Sequence, residues 1–195
     1  MAEARMHIER PYPHTITLRD GSSVTLRLMT SFDADRIVSF AHSLPTDDLL
    51  HLRIDITDPE VVKQWVRNLE ARKTVTIIAE TGEEMAGYGI LHHNMVTWQR
   101  HLGEIRLLLA PEYRSQGLGR TLAEEIIAIA QDLELSKVVA QMMPDQPGAR
   151  ALFLRLGFQT EALLPDFVID RSGQTRDLII MAYDMTGLSG HVHSA

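Results

Sequence analysis

The chain contains no cysteine. That excludes disulfides, thiolate metal ligation and any reaction that holds a group on an enzyme thiol. No apolar run approaches the roughly 18 residues that a membrane-spanning helix needs. The segment from Met1 to Pro13 is broken by Glu3, Arg5, Glu9 and Arg10, so it has no apolar core of a secretory signal. A cytoplasmic chain with no membrane partner is the expectation. Positive charge is also in deficit: 19 Lys and Arg stand against 26 Asp and Glu, a formal net charge of −7. That is the wrong sign for a face that neutralises nucleic-acid phosphates, so no nucleic-acid partner is expected. Aromatics make up only 6% of the residues, and Trp65 and Trp98 lack the clustered companions of a ligand cage. They read as packing or rim residues. There is no internal repeat, no low-complexity tract and no Pro/Gly/Ser-rich linker. What is present is 45% hydrophobic residues in 195 positions, enough for one sizeable core.

The apolar periodicity is mixed. Thr15–Leu18 and Val24–Leu28 alternate on either side of Asp20-Gly21 and predict a hairpin over residues 14–28. Ser31 or Asp33 can cap a helix running towards Ser43, and Asp58-Pro59 opens a second one with Val61, Val62, Trp65, Val66 and Leu69 on one face. Strands are predicted over Thr74–Ala79, Met85–His92 and Gly103–Leu109, with Thr81–Glu84 as a turn and Val96–His101 as a polar connection. A helix follows from Leu118 to Leu133, then a strand from Lys137 to Met142 and a short helix from Ala149 to Leu156 stopped by Gly157. Phe158–Leu164 and Leu178–Met185 are the last strands, with Asp170–Gly173 turning between further extended segments. The pattern is α/β, read as a single domain over residues 1–185 followed by a flexible tail over 186–195.

The stretch that carries chemistry is Arg114-Ser115-Gln116-Gly117-Leu118-Gly119-Arg120, a polar loop leading from a strand into a helix. The first amides of a helix lack an intrahelical acceptor and lie at the positive end of its dipole. Gly117 and Gly119 remove side chains that would keep a diphosphate from the backbone, and Arg114 and Arg120 add local charge to an acidic chain. The spacing is neither that of a dinucleotide fingerprint nor that of a P-loop. A tight strand-to-helix turn with solvated arginines is the plain alternative.

Arg114-x-x-Gly117-x-Gly119 after an apolar strand resembles the acetyl-CoA motif of the GNAT N-acetyltransferases. Ala149-x-x-Leu152-Phe153-x-x-x-Gly157-Phe158 resembles that family's downstream helix-and-strand motif, one helix and one strand further on. The resemblance spans about residues 22–185. It implies a mixed, mostly antiparallel central sheet of about seven strands flanked by helices, splayed at the strand that binds acetyl-CoA. By the same resemblance, the backbone of Leu107, Leu108 and Leu109 would meet the pantetheine arm. The amides of Ser115, Gln116, Gly117, Leu118, Gly119 and Arg120 would hold the pyrophosphate. Leu152 and Phe153 would line the channel near the thioester, and Gln146, which keeps an amide where the family often has an asparagine, and Ala149 would also contact the cofactor. Acetyl-CoA is then the acyl donor, and no metal is called for.

An acceptor ammonium must lose a proton before it can attack, since a lysine-type amine has an ordinary pKa of about 10.4. Glu104, at the start of the strand, stands where many GNAT enzymes keep a glutamate. Partial burial is expected to raise its pKa towards the working range of a general base. The competing reading is a strand-surface glutamate paired with Arg106, on the same face. Phe153 stands where many of these enzymes have a tyrosine that protonates the leaving thiolate, and neither Tyr113 nor Tyr183 is selected by spacing as its substitute. The pairs His92-His93 and His191-x-His193 have no carboxylate at ligand spacing and read as surface or tail residues. The hairpin Thr15–Leu28 and Glu104, with the following Ala110-Pro111-Glu112-Tyr113, resemble the GNAT domains of bacterial protein-lysine acetyltransferases, which makes a protein lysine the leading acceptor and a small amine or amino acid the second. A non-catalytic acyl-CoA sensor is the rival of another class, favoured by Phe153 and opposed by Glu104. Either a monomer or a homodimer suits the sequence.

Overall fold

A computed structural model describes residues 8, 10–94 and 96–186. The expected tail lies outside the described residues apart from Thr186. Strands β1 (His14–Thr17) and β2 (Ser23–Leu28) form the predicted hairpin. Its turn is set by Gly21 at φ +88° and by Asp20, whose carboxylate accepts from the Ser22 amide at 2.9 Å and the Ser22 hydroxyl at 2.7 Å. A 3-10 turn (Ser31–Asp33) leads into α1 (Ala34–Ser43). A short helix, α2 (Thr46–Leu50), was not expected, because a single turn leaves no periodicity to read. Helix α3 (Pro59–Glu70) begins as the sequence implied, with the Asp58 side chain accepting from the Glu60 amide at 2.8 Å and proline in the first turn.

The remaining elements are β3 (Thr74–Thr81), β4 (Glu84–His93), β5 (Leu102–Leu109), α4 (Leu118–Asp132), β6 (Lys137–Met142), α5 (Pro147–Arg155), β7 (Gln159–Ile169) and β8 (Thr175–Asp184). The eight strands form one sheet in the order β1-β2-β3-β4-β5-β6-β8-β7. Of these pairings only β5–β6 is parallel, as a strand–helix–strand unit requires. Strand β7 runs five residues past the predicted Leu164; an irregularity in its pairing with β8, with Asp166 at φ +48°, hides the continuation from a period-two reading.

Both faces of the sheet are covered, which is why β3 is almost continuously buried rather than alternating. On one face Leu118, Leu122, Ile126 and Ile129 of α4 pack against Leu91, Ile105 and Val138. On the other, Ile37 and Phe40 of α1 and Val62 and Trp65 of α3 pack against Ile78, Tyr88, Ile90 and Leu108. Alternation along β5 divides its side chains between these two cores.

Two features shape the centre of the sheet. The β5–β6 ladder runs from Leu102↔Lys137 only as far as Ile105↔Ala140, whereas β5 continues to Leu109. Arg106–Leu109 remain paired to β4 but have no strand on their other edge among the described residues. Beside them β4 carries Gly87, where a Cβ would lie 2.4 Å from the Leu108 carbonyl oxygen. Only glycine permits this closeness of the two backbones.

Candidate active site

Strand β5 ends in a 3-10 turn over Pro111–Tyr113 and then the loop that opens α4. Ser115 at φ +61° and Gly117 at φ +100° turn the chain sharply, so that Gly117 becomes the helix N-cap without any side-chain cap. The amides at the start of α4 therefore have neither an intrahelical acceptor nor a capping oxygen. Gly119 sits against the end of β5 and against α5: a Cβ there would meet Leu109 Cδ1 at 3.1 Å and Leu152 Cδ2 at 3.6 Å. Leu118 points into the core with no exposure, so that only its backbone can serve a ligand.

A cavity of about 670 Å³ runs from this loop along the unpaired edge of β5 to the other side of the sheet. At one end it is lined by Arg19, Ser115, Gly117, Gly119 and Arg120. In the middle are Leu107–Leu109, Gln146, Ala149, Leu152 and Phe153, and at the far end Arg53, Trp65, Tyr88, His92 and Arg106. Gln116 lines a smaller, adjoining hollow of about 430 Å³ together with Arg19, Gly117 and Arg120. The structure thus brings together both sequence motifs along one channel.

The arginines do not all stand as expected. Arg114 folds back: its guanidinium donates to the Leu109 carbonyl at 2.9 Å and to Asp48 at 2.6 Å, fixing the end of β5. Arg120 pairs with Glu124 one turn along α4, at 2.8 Å. The cation that faces the loop without an ion pair among the described residues is Arg19, on the hairpin turn. Its amide donates to the Gln116 carbonyl at 3.0 Å, and its side chain lies 3.9 Å from where a Gly117 Cβ would be. Nothing local in the sequence marks Arg19. Its placement arises from the hairpin folding onto a loop almost a hundred residues away.

Glu104 is partly buried and paired with both Arg106, whose Nε donates to Oε1 at 2.8 Å, and Arg53, which donates to the same oxygen. The expected rise in its pKa is not found. Burial pushes the carboxyl up, but the Arg106 and Arg53 guanidiniums outweigh it and hold Glu104 below the ordinary glutamate value. The two arginines, rather than Glu104, line the cavity. Arg106 was the partner foreseen from strand alternation; Arg53 comes from the segment after α2 and carried no sequence signal.

The histidine reading also needs correction. His93 is buried, and His92 lines the cavity opposite Glu104 on the neighbouring strand. Alternating strands covered on both faces leave no surface position for either. Burial and the nearby Arg106 push His92 down to about 4, so it is neutral at pH 7, and its Nε2 has no partner among the described residues. His191 and His193 lie outside the described residues. Trp65 packs in the core and donates to the Thr76 hydroxyl at 3.1 Å, whereas Trp98 is 86% exposed and packs against little.

Phe153 is buried edge-on against Phe158, with ring centroids 4.9 Å apart. Neither of the tyrosines considered as its replacement lines the cavity. Tyr113 exchanges a hydrogen bond with Thr81 at 2.8 Å, and Tyr183 packs at a tilt against Phe158. Tyr88 does line it, and burial pushes its phenol above the ordinary value, so the hydroxyl stays protonated.

An α/β sheet whose parallel strand pair parts beside a glycine-rich helix start is the build of an acyl-CoA-dependent transferase. The family model described as acetyltransferase (GNAT) family matches residues 38–158. That is more than half of the chain, and the chain belongs to this family of N-acetyltransferases. Thialysine N-epsilon-acetyltransferase of Caenorhabditis elegans is 25% identical over 126 residues, covering 64% of this chain and 76% of that protein. The GNAT domain of S. lividans PAT matches with a TM-score of 0.74 at 19% identity, over 91% of this chain and 100% of that one. The yncA structure from Salmonella typhimurium, which carries acetyl-CoA, matches with a TM-score of 0.71 at 21% identity, over 89% and 98%. At such identities these two structures bear on the fold alone.

Proposed function

We propose that this acetyltransferase carries an acetyl group from acetyl-CoA to a lysine-type primary amine, on a protein or on a free amino acid. The observation that carries this reading is the parting of β5 from β6 beside the uncapped start of α4, with one cavity joining the two. Amides at 115–120 and Arg19 suit a pyrophosphate, by hydrogen bonds and by charge. The open edge of Leu107–Leu109 suits a pantetheine amide, which needs backbone partners of the kind a missing strand leaves free. The closeness of Gly119 to Leu109 and Leu152 leaves a cradle that any side chain would fill.

In the reaction the acceptor nitrogen forms the new C–N bond and the C–S bond breaks. An ammonium acceptor sheds two protons: the first leaves before attack, and the second leaves the nitrogen as the amide forms and ends on the CoA sulfur. Glu104, reached through a water since it lies behind Arg53 and Arg106, takes the first proton. An ordinary thiol has a pKa near 8.5, so the leaving thiolate needs little help, which accommodates Phe153 where a tyrosine would donate. The name of the Caenorhabditis elegans relative, an Nε-acetyltransferase of a lysine analogue, supports the lysine-type amine. The test is CoA release from acetyl-CoA with an amine panel that includes lysine and lysine peptides. Steady turnover of any member supports an enzyme, while acetyl-CoA binding with no turnover across the panel supports the sensor instead.

A further inference from the structure

Two guanidiniums share one carboxylate at the far end of the cavity. Arg53 uses Nη1 and Arg106 uses Nε, both on Oε1 of Glu104, and neither makes another hydrogen bond among the described residues. Other acids nearby have partners elsewhere: Asp48 pairs with Arg114 at 2.6 Å and Asp55 with Arg171 at 2.5 Å, while Asp145, also in the cavity wall, lies 3.7 Å from His51. His92, facing Glu104 across the strands, is neutral and adds no charge. The arginine pair therefore leaves one positive charge unbalanced and most of its N–H groups unfilled, in a partly enclosed site that both arginines line. A planar fork with spare donors matches a carboxylate in geometry as well as in charge.

We propose that Arg53 and Arg106 form a docking site for an anionic group, a carboxylate by preference, on the acceptor molecule itself. The acceptor is then an amino acid or similar amino carboxylate rather than a simple amine. This rests on the acetyltransferase reading above and narrows its acceptor. The acyl donor does not supply the anion, because its phosphates belong at the opposite end of the cavity, by the uncapped helix start. The docked anion has a second consequence. By drawing the guanidiniums away from Glu104 it lifts the hold that keeps that carboxylate a poor base, so the correct acceptor readies the base as it binds.

The test compares acceptors whose carboxylate is kept, made a neutral amide or removed: lysine with lysinamide and pentane-1,5-diamine, and leucine with leucinamide. CoA release by the whole chain is followed at saturating acetyl-CoA. The acid is expected to exceed its amide in kcat/KM by about ten- to a hundred-fold, the effect of one charge-assisted pair. Arg53→Gln, on an exposed segment, and Arg106→Gln, on the strand, should each bring the acid down towards its amide. Arg106→Lys, which keeps charge without the fork, should retain part of the preference. Equal or better use of the amide by the native chain, or acetylation of lysine peptides with no acid–amide preference, overturns the docking site while leaving acetyl transfer standing. An acid preference that survives both glutamine replacements overturns it as well. Absence of turnover with every amine removes the acetyltransferase reading and this inference with it.

Discussion

Glu104 shows how far a residue's place and its chemistry can be separated. Its position at the start of β5 and its alternation partner Arg106 were both legible, since they depend only on the period of a strand. Its pKa was not: burial raises it, but Arg106 outweighs that by hydrogen bond and charge, and Arg53 adds to the lowering from a segment with no periodicity of its own. With Glu104 as the base, Glu104→Gln should lower turnover by on the order of 10²–10⁴ while leaving acetyl-CoA affinity nearly unchanged, as the proposed donor contacts lie further along β5 and in the loop. The pH dependence has a definite sign. A carboxyl held below its ordinary value of 4.5 is ionised at neutral pH, so the acid limb of kcat/KM, which reports the free enzyme, should fall below that value. Its ion pairs add stability above the unfolded pKa, and that stability is lost as pH drops through the folded one. Stopped-assay profiles of native and Glu104→Gln chains check both points. An unchanged rate and profile in the variant would return Glu104 to a structural partner of its two arginines.

At the scale of elements, the site is made by what β4, β5 and α4 do to one another. Strand β5 can stay flush with β4 beyond Ile105 because Gly87 lets the two backbones close up. Arg114 then ties the last carbonyl of β5. The helix start and the glycine loop were legible from the sequence, since their signals are local: a glycine pair, a polar run and an apolar stripe. The parting of β5 from β6 followed only from the family resemblance, because a strand's open edge leaves no mark in its own residues. The hairpin's grip on Gln116 through Arg19 was not legible by either route. Gly87→Ala should test the β4–β5 contact. A methyl 2.4 Å from the Leu108 carbonyl forces β5 outward, with an overpacking cost of about 1–3 kcal/mol. Acetyl-CoA affinity should fall along with stability. Urea unfolding and a thermal shift with CoA measure the two effects, and native values in both would mean that this contact does not position β5.

For the molecule as a whole, two cores on opposite faces of one sheet hold the central strands while the channel passes between β5 and β6 from one face to the other. This arrangement keeps donor and acceptor ends apart. In the proposed reading the nucleotide end is the α4 start with Arg19, and the acceptor end is the α1–α3 side with Tyr88, His92 and the arginine pair, all of which line the cavity. A net charge of −7 gives no general attraction for an anionic donor, so the local amides and cations must supply it. The central claim is that the 114–120 loop and the end of β5 together hold acetyl-CoA. It is tested most directly by calorimetric titration of acetyl-CoA into the native chain and into Gly119→Val. The native chain should bind at one site per chain. The valine, placed against Leu109 and Leu152, should abolish the binding heat in a variant whose circular dichroism and unfolding midpoint show it folded. A folded Gly119→Val chain that binds acetyl-CoA with native affinity would contradict the account.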